Sequence, residues 1–433
     1  MRALRLLIVC PDRLGERMSG MGIRYSEIAR ALAAGGVEVT LAGRELDGGA
    51  IPGVRRTTWS ADRLGSLRQL LRSADAVLAP PLAPHVLGAV RRSGAPLAID
   101  LYDPESLEVL ERFRLSSAPV RALHATTATD RLVDALRSGH FFVCASERQR
   151  DLWLGAMLAL GLLTPAVYDR DPTLRSVLDV VPFGVPDEPP PRPAGDPIRA
   201  TFPEVERGDR ILLWNGGLWS WLDAPLAIRA LARVRAHGVP ARLVFMGASS
   251  AGGAGEALAA ARATVLDEGL PESAVLFNDT WVDYAARGDW LASADAAIST
   301  HRDHLETRFA FRTRLLDCFW ARLPPVVSSG DTLADEIAAE DLGAVAAPGD
   351  LDTLASGIER VLANGRPYYE PALRLAAERH AWSRAVAPLR GFLAAADQRP
   401  PRLARRNPLD VSPLRGGRRA LQRVTRAVRA LRG

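Results

Sequence analysis

Short apolar runs alternate with longer amphipathic stretches along most of this chain, a pattern typical of parallel α/β proteins. In the first half, the runs that predict buried strands lie at residues 6–9, 37–42, 76–79, 97–101, 141–145 and 180–181. In the second half, the corresponding runs lie at residues 211–214, 243–246, 274–277, 296–298 and 326–327. Because strands and helices that alternate in this way form doubly wound sheets, we expect two Rossmann-like α/β domains that face each other across a cleft.

The composition of the chain changes between these two sets of strands. A Pro-rich, charged stretch follows residue 186, and such a composition is typical of a linker. With 433 residues, the chain is long enough for two domains that each bury a core. We therefore predict a first domain over 1–190, a linker over 191–209 and a second domain over 210–375.

The segment 294–330 contains the densest group of candidate site residues. Its pattern predicts a strand at 296–298, a polar loop, a helix that begins near Arg312, and a strand at 325–328. On the helix, positions three and four apart share a face. The apolar face holds residues such as Leu315 and Phe319, so it is expected to pack in the core. Thr313, Arg314 and Asp317 lie on the other face, which is expected to reach into the space that the loop encloses.

Three arginines, Arg308, Arg312 and Arg314, gather at the predicted start of this helix. A helix N-terminus presents free backbone N–H groups and a partial positive charge, so the arrangement predicts an anion site, most economically for a phosphate. Asp317, one turn further on, is placed to accept hydrogen bonds from a ribose. The alternative is a structural network in which the arginines pair with nearby acidic residues, including Glu306.

Every basic side chain outside histidine is an arginine, since the sequence contains no lysine. A Walker lysine and a Schiff-base lysine are thereby excluded. Any phosphate clamp must use arginine, backbone N–H groups or a hydroxyl. The net charge of +5 is modest and lies largely in the last thirty or so residues, so we expect no nucleic acid as a partner.

Three cysteines, Cys10, Cys144 and Cys318, are widely separated along the chain. An odd number of cysteines at such spacings favours a reduced, cytoplasmic protein with buried thiols. The apolar run that ends at Cys10 is short and is followed by charged residues, so it predicts a first strand and not a lipoprotein signal. No run approaches the roughly 20 apolar residues of a spanning helix.

At the segment 299–327, the sequence resembles the GT-B nucleotide-sugar glycosyltransferases, in particular the retaining group called family 4. Phe311 matches a Phe of the family motif, and Leu323 to Val327 match its closing run. Asp317 stands where a Glu of the family binds the ribose of the donor. The Glu of the family that touches the transferred sugar falls on Phe309, so Glu306 is the nearest replacement. Arg312 occupies a Gly position.

The resemblance extends to the first turn of the second domain, residues 215–223. Family members carry Gly-Arg and Lys-Gly pairs there that bind the diphosphate, and Gly217 and Asp223 take those places. The arginines of the 308–314 cluster are then the substitute clamp. Gly216 and Gly217 allow a phosphate to approach the backbone closely. Trp219 or a neighbouring tryptophan is placed to stack on a sugar or base.

Further positions follow from the same resemblance. Trp281 and Val282 lie where the family holds the nucleobase, although Trp281 fits a core position equally well. Gly20, Gly22 and Arg24 lie where the family loop approaches the transferred sugar and the diphosphate; the alternative for the two glycines is a tight turn. The resemblance also implies that a final helix, over 376–400, crosses back to the first domain.

Asp100 and Asp103 lie at the carboxyl end of the predicted strand 97–101 of the first domain, at the edge where open α/β sheets bind their ligands. They are candidates for binding acceptor hydroxyls, or for a catalytic base, and helix capping before Pro104 is the alternative.

Two groups of residues look like metal ligands, but neither predicts a metal. Asp169 and Asp171 form a carboxylate pair in a polar loop that does not follow an apolar strand. His301, Asp303 and His304 match no standard zinc spacing. We therefore expect neither a metal nor a further cofactor.

The basic tail over 401–433 ends in an amphipathic pattern, with arginines between Arg418 and Arg432 opposite an apolar stripe. It predicts either contact with an anionic membrane, at its inner face, or with an acidic partner; disorder in solution is the competing interpretation.

Together these features predict a retaining, metal-independent glycosyltransferase. It would move a sugar from a nucleoside diphosphate donor to a hydroxylated acceptor by stabilising the departing diphosphate. The catalytic candidates are Glu306, Arg308, Arg312, Asp100 and Asp103. Two other functions stay open: epimerisation of a nucleotide sugar, and nucleotide-sugar binding without catalysis. The sequence leaves the base, the sugar and the acceptor open.

Overall fold

The computed structural model describes residues 4–248 and 255–396. These residues form two lobes, each built on a parallel β-sheet with helices on both faces. The predicted pair of doubly wound α/β domains is therefore confirmed. The predicted basic tail over 401–433 lies outside the described residues.

The first lobe contains the elements up to about residue 186. Its strands are β1 (Arg5–Val9), β2 (Arg13–Leu14), β3 (Glu38–Gly43), β4 (Glu45–Leu46), β5 (Val54–Thr58), β6 (Ala76–Ala79), β7 (Leu97–Asp100), β8 (Phe141–Cys144) and β9 (Leu178–Val180). Its helices are α1 (Gly20–Ala34), α2 (Gly65–Ser73), α3 (Pro84–Ser93), α4 (Glu105–Arg112), α5 (Ala118–Leu136), α6 (Glu147–Ala159) and α7 (Pro165–Arg170). The order of the main sheet is β5-β3-β1-β6-β7-β8-β9, and β2 and β4 form a separate short pair.

The second lobe begins with the short helix α8 (Pro197–Thr201), which lies inside the predicted linker and packs against the lobe through the buried Ile198. Its strands are β10 (Arg210–Gly217), β11 (Ala241–Gly247), β12 (Val275–Phe277), β13 (Ala296–Ser299), β14 (Pro325–Ser328) and β15 (Ala344–Ala346). Its helices are α9 (Ala224–Ala236), α10 (Gly255–Asp267), α11 (Arg287–Ala292), α12 (Leu305–Phe309), α13 (Thr313–Ala321), α14 (Thr332–Ala339), α15 (Leu351–Asn364) and α16 (Arg366–Arg379). The sheet order is β12-β11-β10-β13-β14-β15.

The strand order reverses once in each sheet. In the first lobe β1 pairs with β3 on one side and β6 on the other, and in the second lobe β10 pairs with β11 and β13. Chain connections diverge at such a point and leave a crevice outside the carboxyl ends of the strands, where open α/β sheets bind ligands. The turns that follow β1, β10 and β13 are thereby brought to the crevice.

The apolar runs form strands because both faces of each sheet are covered by helices. Along β1, Leu6 and Ile8 point to one face and belong to one core cluster, whereas Leu7 and Val9 point to the other face and belong to a second cluster. A strand with two covered faces needs apolar residues at every position.

The chain crosses between the lobes twice. The first crossing follows β9, and the second leads to α17 (Trp382–Ala385) and α18 (Ala387–Ala394), which pack on the first lobe. The two crossings touch at a parallel bridge between Val185 and Ala381. Phe392 of α18 stacks on Phe141 of β8 with ring centroids 5.3 Å apart.

The lobes also meet on the side of the crevice formed by α6 and α12. The Nε2 atom of Gln149 donates to the carbonyl of Tyr102 in its own lobe and to the carbonyl of Phe309 in the other lobe. Arg148 reaches across as well, because it donates to the Gly330 carbonyl at 2.9 Å and pairs with Asp335. No helix in the part of the chain that the structure describes is both long and apolar enough to cross a membrane.

Candidate functional site

Arg314 and Gly216 form the centre of the site in the second lobe. Gly216 is the second-to-last residue of β10 and has a φ of +150°. A Cβ atom there would approach the Cζ atom of Arg314 to 3.1 Å. Arg314 comes from the first turn of α13, and its Nη2 donates to the Gly217 carbonyl at 3.2 Å. The glycine therefore makes the space in which the guanidinium lies.

Arg314 is half-buried, and no carboxylate balances its positive charge within the described ranges. Burial and the neighbouring charge of Arg312 lower the pKa of Arg314 to about 10. Its Nη1 atom is buried and has no hydrogen-bond partner. A charge removed from water is costly unless it is paired, so this guanidinium is suited to bind an anion.

Three further buried polar atoms without hydrogen-bond partners belong to residues at the ends of β10 and β13 and at the start of α13. They are Oδ1 of Asn215, Nε of Arg312 and Nε2 of His301. Asn215 ends β10 beside Gly216 and donates through Nδ2 to the Arg314 carbonyl at 2.7 Å, whereas His301 follows β13. Most buried polar groups in native proteins are hydrogen-bonded, so these atoms are candidates for contact with a polar ligand.

The predicted cluster of three arginines is divided in the structure. Arg312 donates through Nη2 to Glu306 at 3.3 Å and to Thr307 at 3.2 Å, and its Nε lies 3.9 Å from Asp331. Arg308 is exposed, and its guanidinium lies 5.9 Å from the ring centroid of Phe309. The structural network considered for these arginines therefore describes Arg312, whereas Arg314 alone lies against the β10 turn.

Asp317 has a partner that the sequence did not indicate. It accepts a hydrogen bond from Nε of Arg287 at 2.9 Å. Arg287 is 7% exposed and lies between two rings, with its Cζ 3.5 Å from the Tyr284 centroid and 4.5 Å from the Trp320 centroid. Asp317 itself stays partly accessible, so its carboxylate is held in place and one side of it is open to solvent.

Aromatic side chains lie on the turns that surround this site. The rings of Trp219 and Trp221 are parallel, with centroids 5.3 Å apart and an angle of 5° between their planes. Trp281, after β12, is 55% exposed, so it is not a core residue and its face is available for stacking. Val282 and Phe311 are half-buried and pack against the core.

In the first lobe, Arg24 and Asp100 bind each other. Nε and Nη2 of Arg24 donate to the two Asp100 oxygens at 2.7 and 3.0 Å, and the guanidinium also donates to the carbonyls of Val181 and Pro182. Arg24 is 0% exposed and Asp100 is 3% exposed. Both side chains are thus occupied, and the predicted contacts of Arg24 with the donor and of Asp100 with an acceptor are not available in this structure.

Gly20 and Gly22 lie in the first turn of α1. The helix begins there because the Ser19 hydroxyl caps it by accepting from the backbone N–H of Met21. A Cβ atom on Gly22 would lie 2.7 Å from the Arg13 carbonyl, so this glycine is required by packing. Gly20 is half-buried next to the Tyr102 hydroxyl.

Asp103 lies in a group of carboxylates that spans the two lobes. Burial raises its pKa well above the usual range, and the nearby Glu108, Glu105 and Glu306 raise it further. Burial also raises the pKa of Glu108. Glu306 comes from α12 of the second lobe, which packs against α4. A carboxyl group with a raised pKa retains its proton more readily, as is common for groups that exchange protons with a substrate.

The residues that resemble metal ligands have other partners. Asp171 follows α7 and accepts from the Thr173 hydroxyl and from the backbone N–H groups of Ser176 and Thr173, which lowers its pKa. His301 lies 3.7 Å from Asp331, and His304 caps α12. Within residues 4–248 and 255–396, no group of three or more His, Cys, Asp or Glu side chains is arranged to hold a metal ion.

Two facing doubly wound lobes with their site at the strand ends define the GT-B architecture, and solved glycosyltransferases share it. Anabaena HepE, in complex with UDP, matches with a TM-score of 0.62 and 15% identity over 90% of this chain and 100% of its own. Sucrose-phosphate synthase from Thermosynechococcus elongatus matches with a TM-score of 0.60 and 15% identity over 91% of this chain and 99% of its own. WaaG, a glycosyltransferase of lipopolysaccharide biosynthesis, matches with a TM-score of 0.59 and 16% identity over 90% and 99%.

Residues 209–364 match the family described as "Glycosyl transferases group 1". This match covers most of the second lobe, the domain that holds Arg314 and Gly216. No curated protein matches this sequence. The resemblance to GT-B nucleotide-sugar glycosyltransferases is confirmed by the fold and by this domain.

Proposed function

We propose that this protein transfers a sugar from a nucleoside diphosphate sugar to a hydroxylated acceptor, and that Arg314 binds the diphosphate. The observation that carries the proposal is the half-buried guanidinium of Arg314, which lies against the Gly216 turn. Its buried Nη1 atom has no hydrogen-bond partner, and the guanidinium has no carboxylate partner in the described chain. A pyrophosphate oxygen would supply the missing acceptor. Each charge-assisted hydrogen bond of this kind contributes about 1.5–3 kcal/mol.

Arg314 takes the part that a lysine plays in enzymes with the Lys-Gly pair, because this chain has no lysine. The N-terminus of α13 adds its partial positive charge to the same place. As the bond to the sugar breaks, negative charge grows on the departing diphosphate. A fixed cation and aligned dipoles stabilise that charge more than they stabilise the bound donor, and this difference lowers the barrier. The reaction proceeds with retention and without a metal ion in this proposal.

The rest of the donor has candidate contacts on both sides of Arg314. Asp317, held by Arg287, accepts from the ribose hydroxyls, and the exposed face of Trp281 stacks on the base. Because HepE is solved with UDP and with UDP-glucose, uridine donors are the first to test. Glu306, on α12 of the second lobe, is close enough to Asp103 of the first lobe to raise its pKa, and the two are the candidates for contact with the transferred sugar and the acceptor hydroxyl.

A thermal-shift panel of UDP, GDP, ADP and dTDP with their glucose or mannose derivatives tests donor binding. The expected result is a rise in melting temperature with one nucleotide and its sugar, which Arg314→Gln removes. Arg233→Gln is the matched control, since Arg233 is an exposed arginine of the same lobe that pairs with Asp352. A full ligand response in Arg314→Gln would refute the clamp.

Turnover assays separate the proposed transfer from its two competitors. The donor that binds is incubated with a panel of sugar and lipid-linked acceptors, and nucleoside diphosphate release and the anomeric configuration of the product are measured. Transfer predicts release that depends on the acceptor, an unchanged α or β configuration, and no loss of activity with EDTA. If the donor alone were converted to a new nucleotide sugar, the protein would be an epimerase. If the donor bound but no nucleoside diphosphate were released in any mixture, the protein would be catalytically silent.

A further inference from the structure

Gln149 joins the two lobes through a completely buried side chain. It lies in the first turn of α6 and is 0% exposed. Its Nε2 atom donates to the Tyr102 carbonyl at 2.9 Å and to the Phe309 carbonyl of the second lobe at 2.8 Å. Its Oε1 atom accepts from the backbone N–H of Ala145 at 2.8 Å. Because an amide nitrogen has two N–H groups, both donors of this side chain are used, and its oxygen has a donor as well.

Two of these three bonds stay within the first lobe. Ala145 immediately precedes the cap of α6, and Tyr102 follows β7, so the bonds to them fix the orientation of the amide inside its own lobe. The bond to Phe309 is the one of the three that crosses between the lobes. The first lobe thus presents a pre-oriented donor, and ordering it costs little when the second lobe supplies the acceptor.

The two carbonyls belong to segments that carry the candidate carboxylates. Tyr102 is followed directly by Asp103, and Phe309 ends α12 one turn after Glu306. α12 packs against α4, which begins two residues after Asp103. The hydrogen bond from Gln149 to Phe309 therefore helps to set how closely Glu306 approaches Asp103.

The carboxylates themselves oppose this approach. Burial raises the pKa of Asp103, and so does the proximity of Glu306, since two ionised carboxylates repel each other. Arg148 makes a second contact between the lobes, but its pair with Asp335 is partly exposed, and such pairs contribute only about 0–1 kcal/mol. The bond from Gln149 is buried and uncharged, so salt does not screen it. It is therefore the better suited of the two contacts to hold the carboxylates together.

We propose that Gln149 is a positioning residue for sugar transfer, which acts by holding Glu306 opposite Asp103 through the Phe309 carbonyl. This assignment rests on the proposed function. The proposed contacts with the nucleotide, including Arg314, lie in the second lobe, so nucleotide binding does not require the bond from Gln149. Transfer requires groups of both lobes at once. Loss of the bond should therefore slow transfer and leave nucleotide binding intact.

Gln149→Met tests the assignment, because methionine has a similar length and no N–H donor. The nucleotide is the one that raises the melting temperature in the panel of UDP, GDP, ADP and dTDP. We expect its dissociation constant to stay within about twofold, and kcat for transfer to fall at least about tenfold, because the competent arrangement is less populated. Small-angle X-ray scattering of the full-length proteins measures the arrangement of the lobes. The variant should have the larger radius of gyration, with and without nucleotide.

Arg150→Met is the matched control, because Arg150 is a buried donor on the same helix whose bonds stay within the first lobe. It donates to the carbonyls of Leu178 and Thr173, so its replacement also leaves carbonyls without their donor. Both variants should have a lower melting temperature than the unaltered protein. Arg150→Met should nevertheless keep kcat within about twofold and leave the radius of gyration unchanged.

Three results would overturn the assignment. One is full turnover in Gln149→Met. Another is a loss of nucleotide affinity as large as the loss of turnover, and the third is an equal loss of turnover in Arg150→Met, since each would report damage to the fold. If the unaltered protein binds no nucleotide, the proposed function fails, and scattering alone decides whether Gln149 holds the lobes together. Identical scattering curves for Gln149→Met and the unaltered protein would then refute that role.

Discussion

The guanidinium of Arg314 lies directly against Gly216, so close that a single added methyl group would meet its Cζ atom at 3.1 Å. The two residues are 98 positions apart, and their contact connects the end of β10 to the first turn of α13. A substitution at the glycine therefore acts on the arginine without removing its charge.

Gly216→Ala is expected to weaken nucleoside diphosphate binding by at least about tenfold, because the new Cβ displaces the Arg314 guanidinium and strains a backbone at φ +150°. Isothermal titration calorimetry with the nucleotide of the thermal-shift panel measures the change. Gly217→Ala is the control, since a Cβ there makes its nearest contact, to Trp219, at 3.4 Å. Equal losses in the two variants would show that the turn, and not the arginine, sets the affinity.

Arg314→Met is expected to stabilise the protein without ligand while it removes the response to nucleotide. A half-buried cation without a carboxylate partner costs stability, and an apolar side chain of similar length does not. The melting temperature should rise by about 2–4 °C. Calorimetric melting with and without nucleotide measures both effects. A lower melting temperature together with unchanged nucleotide binding would assign Arg314 a purely structural role.

Nucleotide binding should weaken as the pH rises through about 10, the pKa of Arg314 in the free protein. Burial and Arg312 lower this pKa from its ordinary value, so the charged form that binds an anion is complete below pH 10 and is lost above it. Binding is measured by calorimetry at pH 8 to about 10.5. The Arg314→Met protein serves as the reference, so that ionisation of the nucleobase cancels; a matching pH dependence in both proteins would contradict the assignment.

Asp100→Asn should destabilise the first lobe by about 3–5 kcal/mol, because the fully buried Arg24 would keep its charge without a counterion. Urea unfolding measures the loss. Asp352→Asn, which breaks the exposed pair with Arg233, should leave the unfolding midpoint nearly unchanged. If the Asp100→Asn protein were stable but had lost transfer activity, the result would instead support the prediction that Asp100 binds the acceptor.

Asp103→Asn should be more stabilising at high pH than at low pH. The pKa of Asp103 is raised in the folded protein, so the folded state holds its proton more tightly than the unfolded state does. That contribution to stability is complete in acid and is lost as the pH rises towards the folded-state pKa. An asparagine stays neutral throughout. Urea unfolding of both proteins at pH 5 and about pH 8 measures the growing difference; a constant difference would show that Asp103 is not held among acids.

The fold was largely predictable because its strands are buried on both faces. Each such strand reads as a continuous apolar run, and the runs at 211–214 and 296–298 became the neighbouring strands β10 and β13. The short helix α12 was missed, since five residues in a polar segment show no helical periodicity. The resemblance implied one final helix over 376–400, but the described part of that range, 376–396, holds the end of α16 and then α17 and α18, as the chain turns from one lobe to the other.

The candidate site was predictable in its location but not in its pairings. The glycines of the β10 turn and the arginines of the 308–314 segment were identified from the sequence, and the structure brings Gly216 and Arg314 together. Which of these arginines has no carboxylate partner depends on contacts between residues that are far apart in the sequence. Arg24 meets Asp100 at a separation of 76 positions and Arg287 meets Asp317 at 30, and neither distance has a sequence signature.

The parallel bridge between Val185 and Ala381 has a mechanical consequence. The backbone passes between the lobes at two adjacent places, which together form an interdomain hinge. Such a hinge permits rotation of the lobes about one axis and resists sliding and twisting. A protease that cuts the exposed, proline-rich stretch near residue 190 would sever only one of the two connections. With the stacked rings of Phe141 and Phe392 still in contact, the two fragments would be expected to stay together and to reopen and close about the uncut strand.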